Sequence, residues 1–251
     1  MRLRLIAALC LIATSSCKTE SIRWSEIVYE GVQPQPSEFP GTNRAQLTAG
    51  CGISLRVDTS EGSSFATWWQ VRIDSSAVLM VSRAMHGGQW EQPVVADSTD
   101  RGARGCGRPA PAIAADAKSG YVHIAYFSEP PTGTGVFFAH SMDSAATFHA
   151  AVPIVFGNNP SRVSIDAKGD RVVVAFEDPN STQPMVGLSL SGTMGHIFER
   201  RVLASSPNGR ARQPVVRLAG DTIRLWWSEY SANPAVSATR SVYRNGYIEA
   251  H

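Results

Sequence analysis

From residue 53 onward, apolar and polar residues alternate in runs of about four to eight, the period of half-buried β-strands, with no competing helical period. Four sets of runs line up. First strands are expected at Ile53–Val57, Ala112–Ala115, Val163–Ile165 and Val215–Leu218, each followed by a turn rich in Asp and Gly. Second strands follow at Phe65–Val71, Tyr121–Phe127, Arg171–Phe176 and Thr222–Trp227. Third strands follow at Ala77–Ala84, Gly135–His140, Met185–Leu190 and Ala235–Arg240. Fourth strands are expected to begin at Trp90, Phe148, Phe198 and about Tyr247, at spacings of 58, 50 and 49 residues. A four-stranded unit of about 50 residues is the length of a propeller blade, and such sheets are stable only when stacked on their neighbours. The pattern therefore predicts an all-β fold, a β-propeller of four-stranded antiparallel blades. Four blades are expected, with an incomplete five- or six-bladed ring as the alternative.

The longer first interval places extra residues in Ala96–Gly107, between the first two units. Ahead of the repeats, Arg23-Trp24-Ser25-Glu26-Ile27-Val28-Tyr29 reads like the fourth strands, compare Gln89–Val95, and is expected to close the ring. A terminus that completes the other terminus's blade hides unpaired sheet edges. With Tyr247 that makes five fourth strands for four sets of the other three.

The first residues carry a different pattern: Arg2 and Arg4, an apolar run Leu5–Ala13, then Thr14-Ser15-Ser16-Cys17. A basic start, a short apolar run and small residues before the break predict an export signal. Cys17 is placed like the lipidated cysteine of a bacterial lipoprotein, although Thr14 stands where that family's lipobox usually has Leu; ordinary signal cleavage is the alternative. The expected division is 1–17 signal peptide, 18–50 closing strand and loop, and 51–251 propeller repeats. Lipidation would make the protein an outer or cytoplasmic membrane lipoprotein, and cleavage alone a periplasmic or extracellular protein. No other stretch approaches the roughly 20 apolar residues of a membrane helix, so contact with a membrane is expected only through the lipid anchor.

Export bears on the cysteines. Cys51 and Cys106 remain beyond the signal, in the matching contexts Gly50-Cys51-Gly52 and Gly105-Cys106-Gly107, and an oxidising compartment favours a disulfide between them. None of the six histidines has zinc-like spacing to another ligand, so neither metal nor cofactor is expected. The 23 basic residues stand against 21 acidic ones, which leaves no surplus of positive charge for a nucleic-acid partner. Only Lys18, Lys118 and Lys168 are lysines, and the other basic residues are arginines, whose planar fork suits carboxylates.

Ser141-Met142-Asp143-Ser144-Ala145-Ala146-Thr147-Phe148 resembles the Asp-box (BNR repeat) of the sialidase, or neuraminidase, superfamily, S-x-D-x-G-x-T-W, with Ala145 for Gly and Phe148 for Trp. Ser191–Phe198 is a second copy with Thr193 for Asp, and the segment ending Gly87-Gly88-Gln89-Trp90 is a more degraded third. The resemblance covers about residues 50–251. In that family the box is a structural turn, so it implies the propeller fold rather than a reaction.

In an up-and-down blade, the starts of first strands, the ends of second strands and the inter-blade connections share one face. That face is expected to carry Arg44, Arg101, Arg104, Arg108, Arg162, Arg210 and Arg212, with the acids Glu129, Glu177, Asp178 and Glu229 and the rings Tyr126 and Tyr230. The candidate ligand-binding residues are Arg108, Arg162, Arg212, Glu129 and Glu177, since paired arginine hydrogen bonds hold a carboxylate or sulfate. The segment Gly31–Gly50 is expected over the same face as a lid or partner-contact loop.

The sialidase resemblance implies an arginine triad, a Tyr nucleophile assisted by Glu, and an acid/base Asp. Arg108-Pro109-Ala110-Pro111 faintly resembles the family's F-R-I-P start: Arg108 sits in the right place at a first strand, but the Phe and Ile are missing. Glu229 and Tyr230 are the candidate catalytic pair, although neighbours on a strand point to opposite faces. Three readings follow: a binding module for a glycan or protein partner, a divergent exo-glycosidase of sialidase type, or a structural module whose funnel is filled by side chains. The plain alternative for the arginines and acids is ion pairing between blades.

Overall fold

A computed structural model describes residues 20–29, 34, 50–207, 209–230 and 239–250. The export signal, Cys17, Arg44 and the segment 31–49 apart from Pro34 lie outside the described residues. The described residues form sixteen strands in four antiparallel four-stranded sheets. Strand β1 is Glu20–Trp24. The first blade comprises β2 (Arg56–Ser60), β3 (Ser63–Val71), β4 (Ala77–Ala84) and β5 (Val94–Asp97). The second holds β6 (Ala112–Asp116), β7 (Tyr121–Ser128), β8 (Gly135–Ser141) and β9 (Val152–Phe156). The third holds β10 (Val163–Lys168), β11 (Arg171–Glu177), β12 (Val186–Ser191) and β13 (Arg200–Leu203). In the fourth, β14 (Arg210–Ala219), β15 (Thr222–Tyr230) and β16 (Thr239–Ala250) are followed by β1 as outermost strand. The chain is thus an all-β propeller of four blades.

The surplus fourth strand is resolved by the register. Tyr247 lies inside β16, opposite Thr222 of β15, so it belongs to the third strand of its blade. The fourth strand is β1, whose Arg23 faces Tyr247. It ends at Trp24, with one isolated bridge further on between Val28 and Tyr243. In the other blades the aromatic residue expected to open the fourth strand lies in the turn before it: Trp90, Phe148 and Phe198 precede Val94, Val152 and Arg200.

Alternation along the second strands builds the core. On β7, Val122, Ile124 and Tyr126 pack towards the first blade, while Ala125 packs towards the third. On β11, Val172, Val174 and Phe176 face the second blade and Val173 and Ala175 the fourth. Neighbouring residues serve two different seams because their side chains leave opposite faces. The paired tryptophans divide likewise: Trp69 fills the seam between the first two blades and Trp68 joins a separate cluster, both buried.

The extra residues between the first two blades staple that seam. Cys51 and Cys106 form a disulfide with Cα atoms 5.4 Å apart. Asp97 accepts a 2.7 Å hydrogen bond from the Tyr126 hydroxyl, and Asp100 pairs with Arg108 at 2.5 Å while accepting from the Ser128 hydroxyl and the Glu129 amide.

At the opposite end of the blades, the turn Ser141–Phe148 is held by its own polar groups. The Ser141 hydroxyl donates to Asp143 at 2.7 Å, and Asp143 accepts from the Thr147 amide and hydroxyl at 2.9 and 2.6 Å. Slight burial works against the Asp143 charge, but these donors outweigh it and hold the carboxyl at about 2. In the turn Ser191–Phe198, Thr193 Oγ1 takes the place of the carboxylate and accepts the Ile197 amide at 3.0 Å.

Beside these turns lies an aromatic cluster of Tyr121, His123, His140, His149 and His196. The His140 ring lies 4.7 Å from those of both His149 and His196, centroid to centroid. Burial and the neighbouring imidazoles lower His123 to about 3 and His140 to about 4; the Asp116 charge opposes this at His123.

Candidate functional site: the central channel

The first strands of all four blades surround a cavity of about 690 Å³. Its wall includes Arg56 and Asp58 from β2, Arg162 just before β10, Asp166 from β10, and Gln213 and Arg217 from β14; Pro34 also reaches it. The centre is therefore not filled by side chains, unlike the purely structural reading.

Two carboxylates of the wall also join blades. Asp58 accepts the Ala115 amide of β6 at 2.8 Å, and Asp166 accepts the Leu218 amide of β14 at 2.7 Å. Burial pushes both carboxyls above the ordinary Asp range, opposed by these hydrogen bonds and by the Arg217 charge; the Asp58 charge adds to the rise at Asp166. Arg56 donates to the Ile53 and Leu55 carbonyls, and burial lowers its pKa. The wall thus combines arginines with carboxylates whose charge burial disfavours and whose amide hydrogen bonds and Arg217 support.

Of the arginines expected on the ligand face, Arg162 reaches the cavity. It lies 3.7 Å from Glu177, whose Oε1 accepts the Gln213 amide at 2.9 Å; more than half of the Arg162 side chain is exposed. Arg108 differs from the expectation of a ligand-facing arginine. Its side chain is 1% exposed, and the guanidinium is engaged by Asp100 and by the carbonyls of Ser75, Gly102 and Gly105. Arg104 and Glu129 hold each other through two hydrogen bonds of 2.5 and 3.0 Å. Arg101 donates to the Ser98 and Asp100 carbonyls. Ion pairing around the inter-blade connections accounts for these groups.

Arg210 and Arg212 are exposed on β14, opposite Tyr230 and Ser228. Glu229 is buried and faces Ala211, while Tyr230 is half-buried one residue on, so the two point to opposite faces. Neither Glu229 nor Tyr230 belongs to the cavity wall, nor do Arg212, Glu129 and Glu177. The wall residues the sequence reading passed over, Arg56, Asp58, Asp166 and Arg217, are polar residues of first strands. A polar residue on the innermost strand of a blade is the signal that would have found them. Among the described residues no group of three or more His, Cys, Asp or Glu side chains is placed to hold a metal ion, and no helix is long and apolar enough to cross a membrane.

No protein-family model matches the chain, and no curated protein matches it in sequence. Its backbone does match solved structures. One is an α-L-arabinanase of Penicillium chrysogenum complexed with arabinobiose, at 17% identity and TM-score 0.54 over 78% of this chain and 65% of that one. A Hadza microbial sialidase matches at 17% identity and TM-score 0.51, over 76% of this chain and 43% of that one. An ulvan lyase matches at 15% identity and TM-score 0.52, over 75% of this chain and 50% of that one. The chain therefore spans less than two thirds of each of these proteins. The fold is a propeller of the sialidase- and arabinanase-like kind, an architecture that hosts several carbohydrate chemistries and by itself assigns none.

Proposed function

We propose that the protein is an exported, lipid-anchored binding module of the cell envelope, with a glycan or protein partner and without turnover. The observation that carries this reading is the chemistry of the channel wall. Arg56, Arg162 and Arg217 offer forked donors, while Asp58 and Asp166 are each engaged by a backbone amide of the next blade. A glycan is favoured over a protein partner because the neighbouring folds named above are an arabinanase, a sialidase and a lyase. In this reading Ser141–Phe148 and Ser191–Phe198 are degenerate Asp-boxes, supported by their shared Ser-centred hydrogen bonds.

The second reading, a divergent exo-glycosidase, is favoured by one observation. Asp58 and Asp166 both have carboxyl pKa values raised by burial, as a general acid requires.

The test is incubation of the purified full chain with fluorogenic sialosides and arabinosides, alongside calorimetric titration with oligosaccharides. The binding reading expects no turnover and an affinity that falls about tenfold in Arg162→Ala, the loss of one charge-assisted contact. Turnover abolished by Asp166→Asn would replace it with the hydrolase reading.

A further inference from the structure

The far face of the fourth blade, turned away from the third, carries an ordered pattern of its own. On β15, Ile223, Leu225 and Trp227 point into the seam with the third blade. By strand alternation Thr222, Arg224, Trp226 and Ser228 point the other way. The register completes each row across the sheet. Arg224 stands opposite Arg217 of β14 and Asn245 of β16. Trp226 stands opposite Val215 and Tyr243, and Ser228 opposite Arg212 and Ser241.

The result is a ladder: a row with two arginines, a row with two aromatic rings, then a row with a third arginine. Successive rows on one face lie about 7 Å apart, two residues along a strand.

The charge of this face suits an anion. Arg217 and Arg224 are like charges directly opposite each other, which concentrates positive charge in one row. Both are exposed, and so is Arg212; among the described residues Arg212 and Arg224 have no acidic partner, while Arg217 feels only Asp58 and Asp166 across the channel. Arg217 also belongs to the channel wall, so channel and face are continuous.

We propose that this face binds an acidic glycan in extended form. Sugar rings lie over Trp226 and Tyr243, and carboxylate or sulfate groups are held by Arg217 and Arg224 on one side and Arg212 on the other. The proposal rests on the glycan reading above and deepens it: the ligand is a linear polyanion lying across a blade, rather than a neutral sugar confined to the channel. Half-exposed aromatic rings supply stacking area, and arginine forks select charge.

The test is calorimetric titration of the full chain with oligogalacturonate, which carries carboxylates, with carrageenan oligosaccharides, which carry sulfates, and with neutral arabino-oligosaccharides. Binding of at least one acidic series is expected, weakened tenfold or more in Arg224→Ala and Trp226→Ala and by raised salt, and unchanged in Arg201→Ala, an exposed change on β13 of the third blade. Which acidic series binds identifies the anionic group. Arg224→Gln, an exposed change that leaves the sheet intact, should repeat the loss if Trp226→Ala fails to fold. Acidic binding at wild-type strength in both Arg224 variants overturns the proposal. Neutral oligosaccharides bound as tightly as acidic ones, with the loss confined to Arg162→Ala, overturn it while leaving the glycan reading in place. Absence of binding by all three series overturns both.

Discussion

The seam between the first and second blades and the space between the fourth and the first are built on opposite plans. In the former, Trp69 meets Tyr126 edge to face at 5.6 Å, a disulfide crosses the contact, and the Asp100–Arg108 pair is almost fully buried. The innermost strands β2 and β6 lie side by side there, as do β6 with β10 and β10 with β14, whereas β14 and β2 do not. Among the described residues, the apolar cluster on the far face of the first blade comes from that blade alone, with Trp68 at its centre. The facing side of the fourth blade carries arginines. One kind of surface excludes water and fixes blade to blade; the other carries the exposed side chains of Arg212, Arg217 and Arg224. Among the described residues, apolar seams join the first blade to the second, the second to the third and the third to the fourth, and none joins the fourth to the first.

The largest test of this contrast is truncation on each side. Trp69→Ala should cost about 3–5 kcal/mol of unfolding free energy, the range for a large aromatic removed from a packed core, read by urea denaturation. Trp226→Ala on the far face should cost less, because that side chain keeps part of its surface exposed whereas Trp69 is fully buried. Equal losses would erase the distinction between the two surfaces.

Replacing both Cys51 and Cys106 by Ala should lower stability by about 2–4 kcal/mol, given that the bridge closes a loop of 55 residues. The denaturation midpoint of the oxidised wild type should fall to that of the variant on full reduction.

Acid should act on the second and third blades. His123 and His140 are held at about 3 and about 4, below the ordinary histidine value of 6.5. Because their folded values are depressed, the unfolded chain takes up more protons between 6.5 and those values. Their contribution is therefore complete above about pH 6.5 and is lost as pH falls towards 4 and then 3. His140→Phe should flatten that part of the stability profile, and a two-dimensional NMR titration should show His123 still neutral at pH 5.

The smallest effect is expected at Arg224. Replacing it by Ala removes one of two facing like charges, so stability should stay the same or rise by a few tenths of a kcal/mol. A thermal melt at low salt would detect the rise, and a clear destabilisation would show that Arg224 has a structural partner.

Much of the fold was legible because its cause is local. Two-residue alternation, aromatic and β-branched runs, and turns with glycine in the left-handed region, such as Gly120 at φ 78° and Gly169 at φ 62°, are all written within single hairpins. The closing strand was harder because its partner lies at the other end of the chain. Tyr247 and the aromatics ahead of the fourth strands share one local pattern, and only the pairing of Tyr247 with both Thr222 and Arg23 separates them. The site was less legible still. Arg108 was located correctly at the start of a blade, but whether an arginine faces a ligand depends on which acid lies beside it. Asp100, eight residues earlier, decides that. The ladder on the fourth blade was hidden because Arg212, Arg217 and Arg224 lie on two strands with a bulge between Arg212 and Val215, which sets which of them share a row.

The central proposal is that the arginine-bearing far face of the fourth blade, and not a packed seam, is where ligand binds. Tryptophan emission of the full chain during titration with an acidic oligosaccharide tests it most directly, comparing wild type with Trp226→Phe and Trp90→Phe. The account predicts a saturable change in the wild type that persists in Trp90→Phe and disappears in Trp226→Phe. A change that survives in Trp226→Phe at full amplitude would contradict it.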